Sequence, residues 1–147
     1  MLYCRILSLF FALLSLPASA QLSERFGPYE LHYSVVNTTF LEPKVAATYG
    51  LVRGKDRAIL NLAVREHGEA GATPRPVELK GRTWDLTGTS VELDFQEVRE
   101  GPAIYYIAEF RFFNEEWRHF EVFFRPAGAG ETYNFKFRHQ MYEDLDD

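Results

Sequence analysis

The chain has 147 residues, of which 25% are charged and 16% are aromatic, and its formal net charge is −5. This acidic balance disfavours nucleic acids and anionic membrane surfaces as partners. The single cysteine, Cys4, lies in the N-terminal segment described next. The rest of the chain therefore has no disulfide, no thiol nucleophile and no thiolate metal ligand.

The first twenty residues have the pattern of a secretory signal peptide. Arg5 supplies a positive charge, residues 6–16 are apolar except for two serines, and Ala18-Ser19-Ala20 forms a small-residue cleavage site. The apolar stretch is too short to span a bilayer, so we expect no stable membrane insertion. We predict export to the periplasm and cleavage after Ala20, which leaves one domain over 21–142 and an acidic tail over 143–147.

The first half of this domain alternates between strand patterns and turn residues. A first strand is predicted over 29–37, where apolar and polar residues alternate. A short helix is expected over 43–50, because it begins with proline and ends with glycine. A charged turn over 53–57 precedes a strand over 58–65, and the glycine- and proline-rich stretch 66–76 predicts a loop.

The second half carries the stronger strand patterns. We expect a further secondary-structure element over 77–85, a strand with one solvent-exposed face over 91–96 and a turn over 98–102. Strands are predicted at 103–113, 117–125 and 132–142, with a three-residue turn at 114–116. About seven short strands and one helix favour an all-β, two-sheet immunoglobulin-like sandwich, with a small closed barrel as the alternative.

The turn lengths also predict which residues lie side by side on the outer face of the last three strands. A three-residue turn at 114–116 would keep Phe110 opposite Phe120, and would then make Glu109 and Glu121 direct neighbours. The same parity places Lys136 beside Glu121. The resulting candidate partner surface consists of Glu109, Glu121, Lys136, Arg111, His119, Arg138, Trp117 and Phe123. A solvated charge ladder is the competing interpretation.

Three stretches of the chain resemble sequence patterns of a known family. Residues 32–43 resemble an H-Y-N-x-x-N-S-T-F-L-x-P pattern, and residues 53–61 resemble R-S-K-(D/N)-(R/Q)-x-x-x-N with Gly54 in place of the serine. Residues 100–108 resemble an E-x-G-A-I-Y-Y-I-A strand. Together they are similar to an exported bacterial family known as domain of unknown function 4426. The resemblance implies compartment and bacterial origin, and it implies no activity.

No motif in the chain indicates catalysis. There is no G-x-S-x-G elbow and no glycine-rich phosphate loop, and the neighbouring His32 and Ser34 are more typical of a polar strand face than of a catalytic pair. We therefore expect a non-enzyme without a cofactor. A metal bound by Glu109, His119 and Glu121 is disfavoured because arginines crowd that position.

Two kinds of binding remain open. The first is an interaction or ligand-binding module of the periplasm, whose partner is an unknown periplasmic protein or small ligand and not a nucleic acid. The loop cations Arg53, Lys55 and Arg57 are a candidate contact for it, although charged turns are commonly only solvated. The second is a carrier of a small apolar ligand, held between the sheets near Phe40 and Tyr49, and an unrecognised hydrolase ranks third.

Overall fold

The computed structural model describes residues 22–144. The predicted signal peptide, with its cleavage site after Ala20, lies outside the described residues, as do the last three residues of the acidic tail. None of the helices within 22–144 is both long and apolar enough to cross a membrane.

The first sheet has six antiparallel strands. Five of them lie in the order β1-β2-β3-β8-β7, and β4 also pairs with β3. Their bounds are Leu22–Phe26 for β1, Tyr29–Asn37 for β2, Arg57–Gly68 for β3, Gly71–Pro74 for β4, Gln96–Glu100 for β7 and Ala103–Arg111 for β8. Between β2 and β3 the chain forms a 3-10 turn at Thr38–Phe40 and the helix α1 at Pro43–Thr48.

The second sheet has four antiparallel strands in the order β10-β9-β5-β6. Their bounds are Val77–Trp84 for β5, Ser90–Leu93 for β6, Trp117–Pro126 for β9 and Tyr133–Gln140 for β10. Because the strands form two separate sheets with one short helix, the predicted sandwich is confirmed over the closed alternative.

Aromatic side chains fill the space between the two sheets. Phe120, Phe124 and Phe135 are fully buried. The ring of Phe110 meets the ring of Phe120 edge-on at 5.2 Å, and Phe137 stacks on Phe120 at 4.6 Å. The alternation in the sequence thus identifies correctly which side chains face inward, and their close packing replaces the disulfides that the domain lacks.

The predicted partner of β9 is wrong. β8 pairs with β3 and β7, whereas β9 pairs with β5 and β10, so Glu109 and Glu121 lie in different sheets. The turn at 114–116 carries the chain from one sheet to the other, with Glu115 in the left-handed region at φ 65°. Phe110 and Phe120 therefore meet across the core instead of along a hairpin. The register between β9 and β10 is as predicted, with Lys136 opposite Glu121.

Three strands lie where a turn, a loop or nothing was expected. β7 occupies most of the predicted turn 98–102, and the end of β3 together with β4 occupies the predicted loop 66–76. β1 has no predicted counterpart. All three are mostly exposed edge segments, so they lack the alternation that marks a half-buried strand. The helix ends as predicted, with Gly50 at φ 67°.

Candidate functional site

The eight residues of the candidate partner surface divide between the outer faces of the two sheets. Glu109 and Arg111 lie on β8 in the first sheet, where Glu109 accepts a hydrogen bond of 2.7 Å from Arg57 and Arg111 binds Asp56. The other six, Trp117, His119, Glu121, Phe123, Lys136 and Arg138, lie on β9 and β10 in the second sheet. Glu109 and Arg111 therefore cannot form one surface with them.

On the second sheet, Glu121 is the centre of a compensated charge ladder. Its carboxylate accepts hydrogen bonds from Arg82 and Asn134 and lies 3.1 Å from the Nζ atom of Lys136. The hydrogen bond from Lys136 is the largest cause of the lowered pKa of Glu121, followed by opposing desolvation and the bond from Arg82. Glu121 is only 7% exposed and its carboxylate has partners within the protein, so little of its charge is available to a partner.

Aromatic rings and cations extend this ladder. The guanidinium of Arg82 lies 4.6 Å from the ring centroid of Trp84, which stacks on His119 at 5.5 Å. Arg138 lies 4.8 Å above Trp117. Arg82 and Trp84 could not be recognised from local sequence patterns, because the pairing of β5 with β9 joins segments far apart in the chain. Cation–aromatic contacts of this kind stabilise exposed sheet faces modestly.

The cations of the loop 53–57 do not converge on one point. Arg53 donates to the carbonyl of Thr39 at 3.0 Å, and Arg57 binds Glu109, while Lys55 is exposed. Beneath the loop, the buried hydroxyl of Thr38 accepts from the amide of Gly54 at 3.0 Å. Arg53 and Arg57 thus hold the loop onto the rest of the fold.

A cleft of about 320 Å³ opens on the outer face of the first sheet. Its base lies on β2, β3 and β8, and its rim includes the β4 segment and the turn between β7 and β8. The lining residues are His32, Ala63, Val64, Arg65, Pro74, Pro102, Ala103, Ile104 and Tyr105. This volume is at the low end of the range for ligand sites, and an apolar lining with few polar groups is typical of them.

One end of the cleft is built around Glu30. This carboxylate bridges two histidines, with the Nε2 atom of His32 at 3.0 Å from Oε1 and the Nε2 atom of His67 at 2.6 Å from Oε2. The hydrogen bond from His67 is the largest cause that holds the pKa of Glu30 below its ordinary value. Arg65 lies opposite Glu30 in the strand register, and its Nη2 atom donates to the carbonyl of Ala72 at 2.9 Å.

Tyr105 also lines the cleft, and Glu100 lies beside it, opposite the lining residue Ala103 in the register of β7 and β8. Burial raises the pKa of Tyr105, the charge of Glu100 adds to this effect, and Arg65 opposes it. Burial also raises the pKa of Glu100, which a hydrogen bond from Tyr49 partly offsets. The phenol of Tyr105 therefore lies within the electrostatic reach of both Arg65 and Glu100.

The three stretches that carry the family resemblance meet on this face. His32 comes from the first, Asn61 from the second, and residues 100–105 from the third. Asn61 lies between Ser34 and Ile107 in the strand register, and its Oδ1 atom is buried without a hydrogen bond from any residue in 22–144. Outward positions could be recognised in the sequence, but the order of β2, β3 and β8 could not, because their contacts are non-local.

Helix α1 covers the rest of the same face. Leu41 and Ala46 pack with Ile59, Val98 and Ile107 in a second apolar cluster, separate from the core between the sheets. Ile107, although it points away from the other sheet, is therefore covered. The segment 40–49 lies outside the sandwich, with Phe40 64% exposed, and neither the cleft of about 320 Å³ nor a second of about 290 Å³ is lined by Phe40 or Tyr49.

Within 22–144 no three histidine, aspartate or glutamate side chains have an arrangement that could hold a metal ion. Glu109, His119 and Glu121, the disfavoured candidate metal ligands, are divided between the two sheets.

The fold and the cleft define a two-sheet antiparallel β-sandwich with a small site on one outer face. The chain belongs to the DUF4426 family, a domain of unknown function, whose model matches residues 23–144. The predicted family resemblance is thereby confirmed. A DUF4426 family protein from Pseudomonas aeruginosa PAO1, known as a crystal structure, is 32% identical with a TM-score of 0.75, covering 86% of this chain and 98% of that one.

The chain is also similar in fold to FetP of uropathogenic Escherichia coli strain F11. The as-isolated FetP, recombinantly expressed in the periplasm, is 13% identical with a TM-score of 0.61, covering 84% of this chain and 95% of that one. A copper-bound FetP variant is 14% identical with a TM-score of 0.60, covering 84% and 96%. At this identity the likeness concerns the fold alone. No curated protein matches the sequence.

Proposed function

We propose that this chain is an exported, periplasmic, non-enzymatic binding module that holds a small ligand in the cleft on the outer face of its first sheet. The observation that carries the proposal is the cleft itself. It combines an apolar base with three polar side chains at its edges, His32, Arg65 and Tyr105. Two of the three family-like stretches, 32–43 and 100–108, contribute residues to its lining. A concave site with a few convergent polar groups is the common form of a ligand site.

The composition of the chain supports the compartment. Residues 1–20 have the charged start, apolar middle and small-residue end of a cleaved leader, and no cysteine follows Cys4. The similar fold of FetP, obtained from the periplasm and, as a variant, bound to copper, agrees with a binding module outside the cytoplasm. Copper itself is not part of the proposal, because residues 22–144 contain no cluster suited to a metal.

The arrangement around His32 supports binding over catalysis. Its Nε2 atom contacts Glu30, whereas Ser34 is buried two positions further along the strand. General-base activation requires the base within hydrogen-bond reach of the nucleophile, and the hydrogen bonds of the described residues include none between His32 and Ser34.

Filling the cleft tests the proposal. Ala63 points outward into the cleft opposite His32, so Ala63→Leu should obstruct it without disturbing the core. Ala127→Leu adds the same side chain to the second cleft and serves as the matched control. Each protein would be incubated with the small-molecule fraction of periplasm, washed and denatured, and the released compounds would be identified by mass spectrometry.

We expect the wild type and Ala127→Leu to retain the same compound, and Ala63→Leu to retain at least tenfold less. If Ala63→Leu retains as much as the wild type, or if Ala127→Leu alone loses the compound, the cleft is not the binding site and the proposal is wrong.

A further inference from the structure

The chemistry of the cleft narrows its ligand. Resting on the proposed function, we infer that the cleft binds a small anionic amphiphile, whose charged group meets Arg65 and whose apolar part lies against Ala103 and Tyr105.

The first observation is that Arg65 has no counter-ion. No carboxylate in the described part of the chain lies within ion-pair distance of it, and its one hydrogen bond is to the carbonyl of Ala72. Seven other arginines between residues 22 and 144 each pair with a carboxylate: Arg57, Arg75, Arg82, Arg99, Arg111, Arg118 and Arg125. Arg25, Arg53 and Arg138 also lack a carboxylate partner among the described residues, but of these four arginines only Arg65 lines the cleft.

The second observation explains why Arg65 stays unpaired. Glu30 is its direct neighbour across the strands, yet both carboxylate oxygens are engaged by His32 and His67. Arg25 lies opposite Glu30 on the other side, so four basic side chains surround one carboxylate at this end. Because the histidines already engage the carboxylate of Glu30, the guanidinium of Arg65 is suited to an external carboxylate, sulfonate or phosphate.

The third observation sets the orientation of the ligand. Glu100 lies opposite Ala103, a lining residue of the cleft, its charge acts on Tyr105, and it accepts a hydrogen bond from Tyr49. Its charge would repel an anion there, so the charged group belongs at the Arg65 end. The apolar lining of Pro74, Pro102 and Ala103 then faces the hydrocarbon part. A purely polar anion would leave this lining unused, and a volume of about 320 Å³ limits the ligand to a small molecule.

Two dyes that differ in charge test the inference. Anilinonaphthalene sulfonate is anionic, and N-phenylnaphthylamine has the same aromatic skeleton without the sulfonate. Fluorescence titrations would compare both dyes on the wild type, Arg65→Gln, Arg65→Lys and Ala63→Leu. Arg138→Gln is the control, because Arg138 lies over Trp117 on the second sheet, away from the cleft. Circular dichroism melting would establish that each variant is folded.

We expect the anionic dye to bind the wild type and Arg138→Gln equally, and to bind Arg65→Gln at least tenfold more weakly. Arg65→Lys should retain more affinity than Arg65→Gln, and the neutral dye should bind weakly and respond little to either change. Ala63→Leu should abolish binding of the anionic dye.

Equal binding of both dyes, lost in Ala63→Leu but unchanged in Arg65→Gln, would overturn the anionic inference and leave the proposed binding function standing. Anionic-dye binding that survives Ala63→Leu, or that falls equally in Arg138→Gln, would show attachment outside the cleft and would also overturn it. The proposed function itself fails only in the separate retention experiment with periplasmic compounds.

Discussion

Arg118 is buried at one end of the sandwich, where an ion pair holds the turn that joins the two sheets. Its Nη1 atom lies 3.0 Å from Oε1 of Glu116, and its Nε atom donates to the hydroxyl of Thr83 at 3.0 Å. The other carboxylate oxygen of Glu116 accepts from the amide of Phe113 at 2.8 Å. Both charged groups have lost most of their hydration, so each depends on the other.

Arg118→Met should therefore lower the free energy of unfolding by about 3–5 kcal/mol, the usual cost of stranding one buried charge. Arg99→Met breaks the exposed pair with Glu97 and should cost only about 0–1 kcal/mol. Urea denaturation measures both. Adding Glu116→Gln to Arg118→Met should recover part of the loss. Equal losses for the two single variants would contradict the structural role of the buried pair.

Glu30 links the candidate site to pH. Its pKa in the folded protein is below the ordinary value, chiefly because His67 donates a hydrogen bond to it. A depressed carboxylate pKa contributes stability above the unfolded pKa, and this contribution is lost as the pH falls through the folded pKa.

Glu30→Gln should therefore lower the thermal midpoint most at pH values above the ordinary glutamate pKa of about 4.3. The difference from the wild type should shrink as the pH falls and vanish below the depressed pKa. His67→Gln should flatten the same pH profile, because it removes the largest cause of the shift. Calorimetry across the acidic range measures this, and a deficit of Glu30→Gln that grows toward low pH would contradict the assignment.

At the scale of elements, the main finding is that two consecutive strands, β8 and β9, belong to different sheets. Phe110 and Phe120 both face the core, as the alternation of apolar residues predicts, and Phe123 is outward as expected at 42% exposure. This alternation is the same for a hairpin and for a crossing between sheets, because both keep apolar residues inward. The candidate surface divides for this reason, whereas the register of its β9–β10 part is as predicted because those strands are neighbours.

Engineered cysteine pairs distinguish the two arrangements. Glu121 and Lys136 are direct cross-strand neighbours, so the double variant E121C/K136C should form a disulfide in the periplasm. Neighbouring antiparallel residues have Cα atoms about 4.5–5.5 Å apart, which is within bridging range. E109C/E121C should remain reduced, since the two positions lie on the outer faces of different sheets. Thiol alkylation and mass spectrometry measure both, and efficient bridging of the second pair alone would contradict the sheet assignment.

For the molecule as a whole, the proposed binding function includes export of the domain to the periplasm. If residues 1–20 are removed, β1 begins at Leu22, directly after the new terminal residue Gln21, and the first sheet that carries the cleft is complete. Intact-mass measurement of the protein purified from periplasm should give a chain that starts at Gln21, allowing for its cyclisation. A membrane-bound form that retains Met1 would contradict export as a cleaved protein.

Local patterns in the sequence are sufficient to predict most strands, most inward-facing residues and the short helix. The strands and their inward residues follow from an alternation with a period of two, and the helix follows from its proline and glycine. The strands β1, β4 and β7 carry no such period because they are mostly exposed. The cleft is beyond local reasoning for another reason. His32, Ala63 and Tyr105 become neighbours only because β3 lies between β2 and β8, and that order is decided by packing of the whole core.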